Sequence, residues 1–133
     1  MREAFGLKAS WTKGGKERDI PIATEAQRAL LNEAKEFAGA GSLIPAEMSY
    51  RDQLNRFKAQ TARVGIDRVH GLRHHCAQAR YAELTGWKAP VAGGPTSRQL
   101  SPEQRRIDRE ARLTISRELG HEREQITAVY LGR

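Results

Sequence analysis

Apolar residues recur at helical spacing in four stretches of this chain. In TEAQRALLNEAKEFAG, residues 24 to 39, Ala26, Leu30, Ala34 and Phe37 follow that period. Thr24 and Gln27 have the spacing of a capping box, and Gly39 can close the helix. In SYRDQLNRFKAQTARVG, residues 49 to 65, Tyr50, Leu54, Phe57 and Val64 share a face, with Arg51, Arg56, Lys58 and Arg63 largely off it. HGLRHHCAQARYAELTG, residues 70 to 86, predicts a third helix with Leu72, Cys76, Ala79 and Leu84 turned inward. Ser101-Pro102-Glu103-Gln104 supplies a cap, a proline at the first helical position and a second capping box. The helix after it would carry Ile107, Ala111, Ile115 and Leu119 inward and stop at Gly120. A short last helix from about Glu122 would bring Val129 to the core and Tyr130 near it.

Two stretches depart from this period. In LKASWTKGGKERDIPI, residues 7 to 22, extended segments flank Lys13-Gly14-Gly15-Lys16, the pattern of a β-hairpin, and Pro21 suits a strand end. WKAPVAGGPTSRQLS, residues 87 to 101, has two prolines and a glycine pair and predicts a long loop. The fold class expected is therefore mainly α with a small antiparallel β-hairpin, and at 133 residues a single domain.

Composition narrows the function. Lys and Arg number 23 against 16 Asp and Glu, a net charge of +7 that suits a polyanionic partner, above all nucleic acid. Three Phe, three Tyr and two Trp are too few for a single-strand binder built on stacked aromatics. No apolar run reaches the roughly 18 residues needed to span a bilayer, and the N-terminus lacks a signal-peptide block. Cys76, the only cysteine, rules out an internal disulfide and fits a reducing, cytoplasmic setting.

The candidate chemistry lies in His70-Gly71-Leu72-Arg73-His74, in Leu119-Gly120-His121, and in Tyr130, nine residues beyond His121. Singly, each has an ordinary explanation. Tyr130 reads as a half-buried tyrosine, His121 as a helix-end partner, and Lys13 and Lys16 as solvated turn residues. His70 and His74, four apart, with His75 and Cys76 adjacent, invite a zinc site, but they lack the Glu of a His-Glu-x-x-His motif; no metal is assigned, His74 reads as a structural hydrogen-bonder and Cys76 as core.

Together, with Lys13 on the hairpin turn, these residues resemble the catalytic domain of the tyrosine recombinases, the phage-integrase family. That pattern is a hairpin lysine, His-x-x-Arg, Leu-Gly-His, then a tyrosine about nine residues on, and the match covers residues 11 to 130. The resemblance implies site-specific DNA recombination or integration through a covalent 3′-phosphotyrosine. Tyr130 would be the nucleophile, Arg73 and His121 would hold the phosphate, His70 would accept or position the tyrosine proton, and Lys13 would protonate the leaving 5′-oxygen. Lys16, Arg18 and His74 would bind DNA. The partners implied are double-stranded DNA and further protomers on it, with no cofactor.

The sequence departs from the family in several places. Only eleven positions separate Arg2 from Lys13, too few to assign Arg2 as the family's other catalytic arginine. An upstream DNA-clamping domain is missing, and residues 87 to 105 read as an insertion. The alternative is thus a catalytically inactive DNA-binding fragment of an integrase. A type IB topoisomerase and a helix-turn-helix regulator fit the motifs less well. A tyrosine so near the end of the sequence is expected to be mobile, swinging into and out of the phosphate pocket.

Overall fold

The computed structural model describes residues 4–12, 14–121 and 124–133. About 58% of the structure is helical, with one small antiparallel sheet of two strands. Length predicts one domain; the chain groups into two compact units. One comprises Met1–Phe5 and Pro21–Val69, the other Gly6–Ile20 and His70–Arg133.

Strand β1, Ala4–Leu7, pairs with β2, Arg18–Pro21. β2 falls within the stretch read as a hairpin, but β1 lies almost wholly before it, because a 3-10 turn at Ala9–Trp11 takes the place of the first extended run. The Thr12 hydroxyl explains the shape of the connection. It accepts from the Lys16 N–H at 2.9 Å and donates to the Lys16 carbonyl at 3.0 Å, closing the loop ahead of β2.

Helix α1, Glu25–Ala38, and helix α2, Tyr50–Arg63, belong to the first unit. Thr24 and Gln27 form the capping box read from the sequence, and Ser49 with Asp52 forms another. These boxes satisfy N–H groups that would otherwise be orphaned at the helix start. Neither helix buries a residue: Leu30, Phe37, Tyr50, Phe57 and Val64 are all exposed.

The core lies in the second unit, where α3, His70–Thr85, packs against α4, Pro102–Glu118, and α5, Ala128–Leu131. Ser101, Pro102 and Gln104 start α4 as its sequence predicts, and Ala111 and Ile115 are buried. Helix α3 is rotated from the expected face. Leu72, Cys76, Ala79 and Leu84 are exposed, and Ala77 and Tyr81 are fully buried instead. Cys76 is therefore not a core residue. The inward face starts with Arg73 and His74, and Ala77 and Tyr81 continue it at four-residue steps. Counting apolar residues alone selects the neighbouring face, about 100° away.

The last helix is corrected in the same way. The start expected near Glu122 lies outside the described residues. A 3-10 turn at Glu124–Thr127 leads into α5, where Val129 is 70% exposed and Tyr130 and Leu131 are buried.

The loop between α3 and α4 is anchored rather than loose. Ala89 and Leu100 are buried, and a short 3-10 turn forms at Pro90–Ala92. Residues 102–105, placed in the expected insertion, belong to α4. Gly94 lies against the Lys88 carbonyl with no room for a Cβ.

A buried polar chain joins these parts. Trp87 Nε1 donates to the Tyr81 hydroxyl at 3.1 Å, and that hydroxyl donates to Asp108 Oδ1 at 2.5 Å. Arg112 Nε donates to the same oxygen at 2.9 Å, and Arg112 NH1 to the Gly132 carbonyl at 2.9 Å. Nearby, the Arg80 guanidinium grips both Glu118 oxygens at 3.0 to 3.3 Å, tying α3 to the end of α4.

Asp108→Ala would leave the Arg112 guanidinium buried without its carboxylate, and should cost about 3 kcal/mol in denaturant unfolding. Burial, then the Asp108 bond, pushes the Tyr81 hydroxyl up to about 12. An unfolded tyrosine loses its proton near pH ~10. Between those values the unfolded chain binds fewer protons, so stability should fall as pH rises across that window. Tyr81→Phe should remove this component of the alkaline slope.

Candidate phosphate-binding site

Helix α3 presents His70, Arg73 and His74 at its first two turns, where three- and four-residue spacing puts them on one side. The residues following α4 bring His121 to the same place. Gly120 makes the turn possible with φ of +82°, a backbone state that disfavours any residue with a Cβ. The His121 N–H then bonds the Ser116 carbonyl at 2.7 Å, closing the helix end.

Arg73 links the two segments. Its NH2 donates to the Leu119 carbonyl at 2.6 Å and lies 3.4 Å from His121 Nε2. Its Nε is buried and has no hydrogen-bond partner.

Tyr130 arrives from α5 beneath this pair. Its ring centroid lies 4.7 Å from His74, 6.3 Å from His70 and 6.5 Å from His121, and the Arg73 guanidinium carbon sits 5.8 Å from it. Gln78 Nε2 donates to the Tyr130 carbonyl at 3.2 Å. Tyr130 is only 7% exposed, and Thr127 and Leu131 beside it are fully buried. The tyrosine expected on a frayed end is thus packed against Arg73, on a helix anchored on either side of it.

Four sequence-selected residues, His70, Arg73, His121 and Tyr130, converge here, although His121 follows Arg73 by 48 positions. Comparison of the chain with family models, with curated proteins and with solved structures gives no match to any. The geometry therefore stands on its own. Lys13 lies outside the described residues, as does Arg2.

Lys16 and Arg18 of the hairpin are also brought in. Lys16, Arg18, Arg73 and His121 line one cavity of about 450 Å³, with Trp11 and Gly120 in the same wall. Tyr130 lies behind Arg73 rather than in that wall. Among the described residues, no Asp or Glu lines the cavity. No group of three His, Cys, Asp or Glu among them is placed to hold a metal ion, and His75 and Cys76 are exposed.

Sequence reading missed the contact of His74 with the Tyr130 ring and the bond from Gln78. Both were signalled by a polar stripe at four-residue steps, His70, His74 and Gln78, along one side of α3.

Burial, and then the charges of Arg73, Arg18 and Lys16, hold the His121 imidazole below its ordinary value. It is neutral at pH 7, able to accept at one ring nitrogen and donate at the other. Because the folded chain resists this protonation, the stability linked to it is present above the ordinary imidazole range and is lost as pH falls through the folded value. Removing one cation with Arg73→Gln should raise the His121 pKa, read from its ring resonances across pH 4 to 8.

Proposed function

We propose that this protein cleaves and rejoins duplex DNA through a covalent 3′-phosphotyrosyl link at Tyr130, as a site-specific recombinase of the tyrosine-recombinase type. The observation that carries the reading is the convergence of His70, Arg73 and His121 on one tyrosine. The cavity beside them, cationic and without carboxylates among the described residues, suits a phosphodiester.

In the reaction, the Tyr130 oxygen attacks the scissile phosphorus and the bond to the 5′-oxygen breaks. The tyrosine proton passes to His70 or to water. The leaving 5′-oxygen takes a proton, by resemblance from Lys13. Arg73 and His121 hold the non-bridging oxygens as negative charge builds on them. A 5′-hydroxyl of a second duplex reverses the attack, so the linkage energy is kept and no cofactor is required. Exchange between two duplexes needs several protomers, so the working form is an oligomer on DNA. The net charge and the basic hairpin supply backbone contacts, and their binding should weaken steeply with salt. Among the described residues no helix is long and apolar enough to cross a membrane; the proposed setting is the cytoplasm.

A second reading, an integrase-derived DNA binder without cleavage, is favoured by one observation. Tyr130 is only 7% exposed and does not line the cationic cavity that would hold the phosphate.

Covalent capture separates the two. The full chain is incubated with nicked duplexes that trap the cleaved state, then denatured in detergent. Protein-linked DNA that Tyr130→Phe abolishes is expected. Tight, salt-sensitive binding with no adduct would favour the non-cleaving binder instead.

A further inference from the structure

Arg18 opens β2 and reaches across to the Leu-Gly-His turn. A methyl group built on Gly120 would collide with its guanidinium, whose Cζ would lie only 2.8 Å away. Glycine at this position thus serves two needs, the positive φ and the room for Arg18. The guanidinium has no ion pair among the described residues, and its Nε is buried without a hydrogen-bond partner. Arg73 Nε, in the wall of the same cavity, is in the same state.

Orphaned buried donors are rare, and each costs free energy unless something answers it. Here two of them belong to like-charged side chains that share a cavity with Lys16 and His121. Such an arrangement is unfavourable for the protein alone and favourable around an anion with several acceptor oxygens. A guanidinium presents its donors in a planar fork that matches phosphate, which a lysine at this position would not.

We infer that Arg18 is a second phosphate-binding arginine, which grips the scissile phosphodiester from the hairpin side while Arg73 grips it from α3. The inference rests on the strand-transfer reading for its substrate, but not for the anion site itself. Gly120 is then a positioning residue, since its missing side chain lets Arg18 reach the phosphate. The arginine that the family pattern expects upstream of the hairpin lysine has, in this chain, a counterpart downstream of it. Arg18 is thereby assigned contact with the reacting phosphate and not merely with the DNA backbone.

The test uses the full chain with two probes. Inorganic phosphate is titrated while the His121 ring resonances are followed, for wild type, Arg18→Ala, Arg18→Lys, Gly120→Ala and the exposed control Arg98→Ala. Loss of a charge-assisted contact should weaken phosphate binding on the order of tenfold in Arg18→Ala. Arg18→Lys should recover only part of it, Gly120→Ala should mimic the loss, and Arg98→Ala should match wild type. Unchanged phosphate affinity in Arg18→Ala, or no phosphate shift of His121 in wild type, would overturn the inference. Should Arg18→Ala fail to fold by circular dichroism, the Arg18→Lys and Gly120→Ala titrations decide the matter.

Covalent capture then distinguishes the two proposals. Adduct formed by wild type and by Arg18→Ala at equal rates would sink the role of Arg18 while leaving strand transfer intact. Absence of wild-type adduct, with phosphate binding that still depends on Arg18, would sink strand transfer while keeping the anion site.

Discussion

One buried carboxylate holds the second unit together. Asp108 accepts from the Tyr81 hydroxyl and from Arg112 through a single oxygen, and Arg112 carries the link on to the Gly132 carbonyl. Helix α3, helix α4 and the segment that ends α5 are therefore joined by one chain of hydrogen bonds. A charge at this depth is tolerated only when it is paired and bonded, so the whole set must form at once or not at all. This gives the short α5 its fixed place. Four helical residues have almost no stability of their own, and Tyr130 is held through Leu131, Thr127 and this polar chain.

The site is built on the other end of the same helix pair. Arg73 bonds the carbonyl of Leu119 as well as approaching His121, so one guanidinium both ends α4 and shapes the cavity. Its position follows from the inward face of α3, which runs from Arg73 and His74 to Ala77 and Tyr81. Structure and chemistry therefore share one helical face. The small Ala77 lies between the tyrosine that anchors the core and the polar residues that line the site. Among the described residues, the Nε donors of Arg18 and Arg73 are left buried without partners, a cost in stability.

Helix existence and helix starts were legible in the sequence because capping is local. Thr24 with Gln27 and Ser101 with Gln104 are read within four residues and need no knowledge of the rest. The four convergent side chains were legible for a different reason: their order and spacing resemble a known family pattern. Inward faces were less legible. On α3 and α5 the apolar residues Leu72 and Val129 point outward, while Ala77, Tyr81, Tyr130 and Leu131 take the buried positions. The hairpin was found but its first strand was placed too late, since the 3-10 turn at Ala9–Trp11 and the Thr12 hydroxyl that closes the loop leave no periodic trace.

The sequence by itself determined the helical character of this protein, its basic charge, and the histidines, arginine and tyrosine that meet at one place in the fold. These properties depend on neighbours a few positions apart or on simple counts. Tertiary structure decided which face of α3 is buried, that Tyr130 lies packed beneath Arg73, and that Arg18 meets Gly120, 102 positions further along the chain. Such pairings are set by packing and by the balance of buried charge. Both are sums over residues distant in the chain, and no local pattern contains them.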